Sequence, residues 1–383
     1  MCRRFGLLAA IFTAAAGFAA QSTPSSPGML VGIFDEPHTL YGNPEFYFPI
    51  LKDLHAQVLR VNLYWGGRYG VARRQPVDRA DPADPAYDWH LYDRTANFAS
   101  QYGIKILFSI YGTPAWANSG RGVNHKPEHD RALEDFAYAA AIRYSGTYPG
   151  ADGRPLPAVR LWLAWNEPNN PVFLAPQFAR VRGKWVIQSA RDYAGICSAI
   201  YTGIHATALA GEQVACGGTA PRGNNCPRSS RPSVSPVVFL RALKAAGLKS
   251  FDAYAHHPYY GSPKESPTTI PPAARGARPT AVTLANIGTL ISELTRLYGR
   301  KRVWITEYGY QTNPPDPQFG VSWDRQAQYV TQAFGIARRN PRIDMLLWFM
   351  VQDEPILSGW QSGFLTADGK KKPSYAAFQA LTH

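Results

Sequence analysis

Apolar residues in this chain gather into short runs closed by Gly, Pro or polar clusters, with amphipathic stretches between them. Eight runs read as strands: "MLVGIF" (29–34), "AQVLRVNLYW" (56–65), "IKILFSI" (104–110), "VRLWLAW" (159–165), "EQVACGG" (212–218), "FDAYAHH" (251–257), "RVWITEY" (302–308) and "DMLLWFM" (344–350). Helical periodicity appears between them, as in "WHLYDRTANFASQYG" (89–103), "RALEDFAYAAAIRYSG" (131–146), "ARDYAGICSAIYTGIHATA" (190–208) and "VTLANIGTLISELTRLYG" (282–299). The closing "KPSYAAFQALT" supplies an eighth helix. Strands that alternate with helices pair in parallel through right-handed crossovers, and eight such units predict a single α/β (β/α)8 TIM barrel. No linker separates a second domain. The Pro-rich "SPTTIPPAARGARPT" (266–280) falls between the sixth strand and its helix and reads as a loop. Long loops after the fourth strand (168–189) and the sixth (258–281) are expected to build a cleft.

Composition sharpens this picture. The 383 residues suit one barrel with long loops, and 45% hydrophobic content with 10 Trp, 21 Tyr and 18 Phe excludes a disordered or fibrous chain. The start, Met1-Cys2-Arg3-Arg4 followed by an Ala-rich apolar run to Ala20, has the order of a secretory signal peptide. Residues 1–20 are therefore expected to leave, residues 21–28 to form a short polar segment, and 29–383 to form the exported catalytic barrel, with a retained anchor as the alternative. No later stretch is long and apolar enough for a membrane span.

The net charge of +13 falls by the two charges of Arg3 and Arg4 to +11 in the mature chain. These basic residues are scattered, their densest run being "GKKKP" (369–373), and they read as solvated surface. Without any zinc-finger, RNA-recognition or helix-turn-helix signature, no nucleic-acid partner is expected. Of the cysteines left after the signal, Cys216 and Cys226 flank one loop and form the expected disulfide; three separate thiols, with Cys197 packed in a helix, is the alternative. No Cys–His spacing fits a metal site, and no cofactor is called for.

In a (β/α)8 barrel the chemistry sits at the C-terminal ends of the strands. Polar and aromatic residues there are Asp35 and Glu36; Arg60, Asn62 and Trp65; Trp116; Asn166 and Glu167; His256, His257 and Tyr259; Glu307 and Tyr308; and Trp348, Asp353 and Glu354. Aromatic faces that stack on pyranose rings, amides and cations for hydroxyls, and paired carboxylates for acetal cleavage together suit a carbohydrate substrate. Phosphate chemistry would need a Gly-rich cradle or metal carboxylates, and neither is evident.

"WNEPN" after the fourth strand and "ITEYG" at the end of the seventh resemble the acid/base and nucleophile motifs of the retaining glycoside hydrolases of clan A, the 4/7 superfamily. Arg60, Asn166, "HPY" (257–259) and Trp348 follow in the matching order. "YDWHLYDR" through "YGTPAWA" (87–117) and "GKKKPSYAAFQAL" are also similar to cellulase-like family 5 and family 39 members, so the resemblance runs from residue 29 to the C-terminus. The His that many family 5 members carry near the third strand's end is missing from "SIYGTPAW", which favours a family 39 or related type.

The resemblance implies Glu167 as general acid/base, its pKa held up by burial and by the Glu307 charge, and Glu307 as nucleophile. Their carboxyls should lie roughly 5 to 5.5 Å apart. Asn166 would bond the sugar 2-hydroxyl, Arg60 and Tyr259 would hold Glu307 ionised, and Trp348 would floor the sugar subsite, with Trp65 and Trp116 as cleft walls. His256 and His257 point to opposite faces of an extended strand and so do not share one metal; His257 is assigned to the site and His256 to the core. Asp35, Glu36, Asp353 and Glu354 read as loop caps or outer contacts. The implied activity is an exported retaining β-glycosidase. The alternatives are a transglycosylase on the same site and a non-catalytic carbohydrate-binding cell-wall protein.

Overall fold

The computed structural model describes residues 28–273 and 280–382; the expected signal peptide lies outside them, as does the polar segment as far as residue 27. Among the described residues there are ten strands: β1 (Leu30–Phe34), β2 (Val58–Tyr64), β3 (Lys105–Tyr111), β4 (Leu161–Ala164), β5 (Phe178–Val181), β6 (Lys184–Ile187), β7 (Gln213–Thr219), β8 (Ala253–His256), β9 (Arg302–Tyr308) and β10 (Ile343–Phe349). Among the same residues are nine α-helices: α1 (Glu36–Thr39), α2 (Pro44–Asp53), α3 (His90–Gln101), α4 (Asp130–Arg143), α5 (Gln188–His205), α6 (Pro236–Ala245), α7 (Gly288–Tyr298), α8 (Trp323–Arg338) and α9 (Pro373–Gln379).

Eight strands close a parallel barrel in the order β1-β2-β3-β4-β7-β8-β9-β10, so the chain folds as a (β/α)8 barrel. The remaining two, β5 and β6, form an antiparallel hairpin inside the long loop after β4. That hairpin was not foreseen, because its strands are short and its faces half-exposed.

The packing follows from strand alternation. One face of each strand fills the barrel interior with a small set that includes Val58, Leu107, Leu163, Ala253, Trp304 and Leu347. The other face meets the helices in a far larger core that includes Leu59, Val61, Leu63, Phe108, Val303 and Ile305. Two departures from regular pairing shape the barrel mouth. Between the pairs Leu346↔Ile305 and Trp348↔Tyr308, β9 advances one residue more than β10, a bulge at Thr306–Glu307. A similar shift between Gly217 and Thr219 in β7 lies opposite β8.

The disulfide differs from expectation. Cys197 on α5 bonds Cys216 on β7 with Cα atoms 6.0 Å apart, while Cys226 is an exposed free thiol. Cys216 belongs to the face of β7 that meets the helix layer, where Cys197 is buried, so the sequence-adjacent loop cysteine is the wrong partner. Closing a loop of this length is worth about 3 kcal/mol. Cys197→Ser should therefore lower Tm under non-reducing conditions while Cys226→Ser leaves it in place; equal Tm values for the two variants would refute the bridge.

Candidate active site

β4 ends at Ala164, and the chain then turns sharply into the barrel mouth. Trp165 (φ 67°) and Glu167 (φ 35°) both take left-handed backbone conformations without being glycine. Such residues cost roughly 1–3 kcal/mol each and persist only where the surroundings hold them. Here Trp165 N bonds Ile110 O at 2.8 Å, and Glu167 N bonds Gly218 O at 2.9 Å. Asn169 clamps the next turn, accepting from Ala220 N at 2.8 Å and donating to Val234 O at 2.8 Å. The apolar strand thus ends in a strained, fully tied turn that delivers Asn166 and Glu167 to a cavity of about 680 Å³.

Across this cavity the bulge in β9 lets two consecutive residues serve the mouth. Thr306 Oγ1 meets His257 Nε2 at 2.9 Å, and Glu307 turns its carboxylate into the cavity. Arg60 on β2 lies fully buried behind it and organises the floor. Its Nη1 donates to Glu307 Oε1 at 2.7 Å, and its Nη2 donates to Asn166 Oδ1 at 2.7 Å. Tyr259 Oη donates to the other Glu307 oxygen at 3.1 Å, and burial keeps this phenol protonated by pushing its pKa well up. Because Arg60 takes the Asn166 oxygen, the amide NH2 is the end that Asn166 offers to the cavity.

Glu167 stands in a different setting. Its side chain is 12% exposed, and burial pushes its pKa up to about 7, against the opposing pull of the Asn170 hydrogen bond and the Arg60 and Arg231 charges. Burial carries this shift without the Glu307 charge that the sequence invoked, because Arg60 already compensates that carboxylate. Asn170 Nδ2 donates to Glu167 Oε2 at 2.9 Å. His257 Nδ1 lies 3.1 Å from Glu167 Oε1, and burial lowers the imidazole to about 4, so it is neutral at pH 7. With Arg60 Nη1 3.2 Å from its Nε2, the ring proton belongs on Nδ1 and points at Glu167.

An oxygen of Glu167, an oxygen of Glu307 and a nitrogen of His257 all lie within 4.8 Å of one another. Among the described residues this is the group that could hold a metal ion, but the buried Arg60 guanidinium already supplies its positive charge, bonding Glu307 and facing His257. One carboxyl is held protonated near neutrality and faces a second held by a cation and a phenol, so the two stand in unequal settings.

The tryptophans are placed differently from the sequence reading. Trp348 is fully buried on the helix-facing side of β10, stacked on Phe364, with Nε1 donating to Ser362 O at 2.8 Å. Its neighbour Phe349 faces the cavity instead, a one-residue difference in strand register. Trp65 directly follows β2, whose inward residues are Arg60 and Asn62; it packs on the helix side and stacks on Phe136. Trp116 packs edge-on against Trp65 and donates to Ala72 O at 2.8 Å, away from the carboxylates. Exposed aromatics on the cavity include Phe319 and Trp360, the latter in the loop after β10, beside Phe349 and Tyr259.

His256 is a core residue between Thr219 Oγ1 (2.8 Å) and Val282 O (2.9 Å). Tyr308 is buried beneath the mouth. Asp35 caps α1 and accepts from Val351 N at 2.8 Å. Asp353 pairs with buried Lys372 of the basic run, 2.7 Å away, and Glu354 accepts from Trp360 N at 2.6 Å. Lys372 is thus interior rather than solvated surface. Glu36, read as a cap or outer contact, lines the cavity itself.

No protein-family model and no curated protein matches the sequence. Solved structures do match the fold. A family 39 glycoside hydrolase from the gut symbiont Bacteroides cellulosilyticus WH2 superposes with TM-score 0.61 at 19% identity, over 91% of this chain and 62% of its own. A glucosidase from Croceicoccus marinus gives TM-score 0.65 at 13% identity, over 94% of this chain and 68% of its own. A family 39 enzyme from Xanthomonas axonopodis pv. citri gives TM-score 0.56 at 17% identity, over 92% and 65%. The chain therefore has the barrel fold seen in these glycoside hydrolases, and it spans less than two thirds of the length of the two family 39 structures.

Proposed function

We propose that this chain is an exported retaining β-glycosidase of the family 39 type that acts on an oligo- or polysaccharide. The observation that carries the proposal is the unequal pair: Glu167 raised to about 7 by burial, and Glu307 bonded by Arg60 at 2.7 Å and by Tyr259 at 3.1 Å, with oxygens of the two within 4.8 Å. A short separation suits nucleophilic attack, whereas inversion needs room for a water between the carboxyls. The matched structures are described as glycoside hydrolases, which supports the same chemistry. Export rests on the residue 1–20 pattern and is supported by the disulfide.

In the first step Glu167 gives its proton to the glycosidic oxygen as the bond from that oxygen to the anomeric carbon breaks, and Glu307 forms a new bond to that carbon. In the second step Glu167 takes a proton from water, whose oxygen attacks the same carbon and releases Glu307. Asn166 offers its amide NH2 to the sugar 2-hydroxyl, His257 positions Glu167, and Tyr259 and Arg60 orient Glu307 as the nucleophile. Proton NMR of the first-formed product from an aryl glycoside is expected to show retained anomeric configuration. Inversion would refute double displacement.

A further inference from the structure

Glu36 is a third carboxylate in the same cavity, at the end of β1, with no part in the steps above. Its Oε1 accepts from Tyr41 Oη at 2.9 Å and its Oε2 from Asn62 Nδ2 at 2.6 Å. Asn62 Oδ1 in turn accepts from Arg60 Nη2 at 3.3 Å, and Arg60 bonds both Glu307 and Asn166. A chain of two side chains therefore joins Glu36 to Glu307, and both carboxylates line the same cavity. Tyr64 is a third side-chain donor to the Glu36 carboxylate, and of its roughly four lone-pair sites one is left for a donor from the cavity.

The cation felt at this acid is Arg60. Both terminal nitrogens of Arg60 are taken, and its guanidinium lies 4.3 Å from the centre of the Phe34 ring. Arg231, which lines the cavity, is exposed at the rim, where its charge is felt at Glu167. Burial raises the Glu36 carboxyl against the donors around it, so its surroundings disfavour negative charge.

We propose that Glu36 selects the sugar: it accepts a hydrogen bond from a ring hydroxyl of a neutral glycoside and excludes a uronide, whose carboxylate would face it. This inference rests on the glycosidase reading above and deepens it. Aryl β-glycosides are tested as pairs of equal ring configuration, one neutral and one uronic. Wild type should prefer the neutral member of its cleaved pair by at least about 100-fold in kcat/KM. Glu36→Gln should lower kcat/KM on that neutral glycoside roughly 10- to 100-fold, as expected when a hydrogen bond to a charged group is weakened. It should also narrow the neutral-to-uronic ratio, which a purely structural role would leave in place.

A wild-type enzyme that cleaves the uronide as well as the neutral sugar, or an unchanged ratio in Glu36→Gln, overturns the assignment. If Glu36→Gln does not fold, the wild-type ratio decides alone. If no glycoside is cleaved, the glycosidase reading fails separately. Calorimetry of wild type with a neutral sugar and its uronic acid then decides Glu36: tighter binding of the neutral sugar supports it, and no preference or no binding overturns it.

Discussion

Glu307→Gln is expected to lower kcat by at least about 10⁴-fold, the scale seen when a covalent nucleophile is removed, while Tm stays near the wild-type value. Gln keeps an oxygen to accept from Arg60, whose guanidinium is fully buried and lies 2.7 Å from Glu307. Glu307→Ala is the less informative variant, because stripping one partner from a buried ion pair costs about 3–5 kcal/mol. Loss of activity in the Ala variant would then mix chemistry with folding. Activity and thermal melts of the Gln variant separate them, and wild-type turnover by a folded Gln variant would remove Glu307 from the mechanism.

The second large effect concerns Glu167 and carries a sign that can be worked out. Its carboxyl rises from 4.5 to about 7 on folding, so between those values the native state holds a proton that the unfolded chain has released. Stability therefore falls as pH rises through this window; the favourable contribution is present below the unfolded pKa and lost above about 7. The loss amounts to about 3 kcal/mol. Glu167→Gln should consequently be more stable than wild type at pH 8 and lose that advantage at pH 4. Its turnover of unactivated glycosides should drop about 10²- to 10⁴-fold. The basic limb of wild-type kcat/KM near pH 7 should disappear with the carboxyl. A dinitrophenyl glycoside, whose leaving group needs no proton, should still be attacked, and an unchanged pH profile in the variant would reassign the acid.

Much of this was legible before any coordinates. Eight apolar runs marked the barrel, and residues at their ends marked its mouth. Where the sequence misled, the cause was side-chain direction. Arg60 and Asn62 point inward on β2, and Trp65, directly after that strand, packs on the helix side. Trp348 shares the parity of Leu346, and Phe349 that of Met345 and Leu347, so alternation along β10 separates them once the inward face is known. Cys216 belonged to the helix layer by the same logic, yet its partner depended on which helix packs there. Glu36 looked like a helix cap because Asp35 beside it is one, and only the Asn62 contact carries it into the cavity. Trp360 lies in a loop held by Glu354 and by the buried Asp353–Lys372 pair, and no periodicity announces such a residue.

The irregular pairing of β9 has a further meaning. In a strand of unbroken alternation, neighbouring side chains point to opposite faces, so Thr306 and Glu307 could never look into the same space. The surplus residue removes that restriction: Thr306 can brace the imidazole beside Glu167 while Glu307 faces the cavity. A geometrically perfect seventh barrel strand would have to choose between presenting Glu307 and presenting Thr306. The defect is what allows both side chains to meet at one rim.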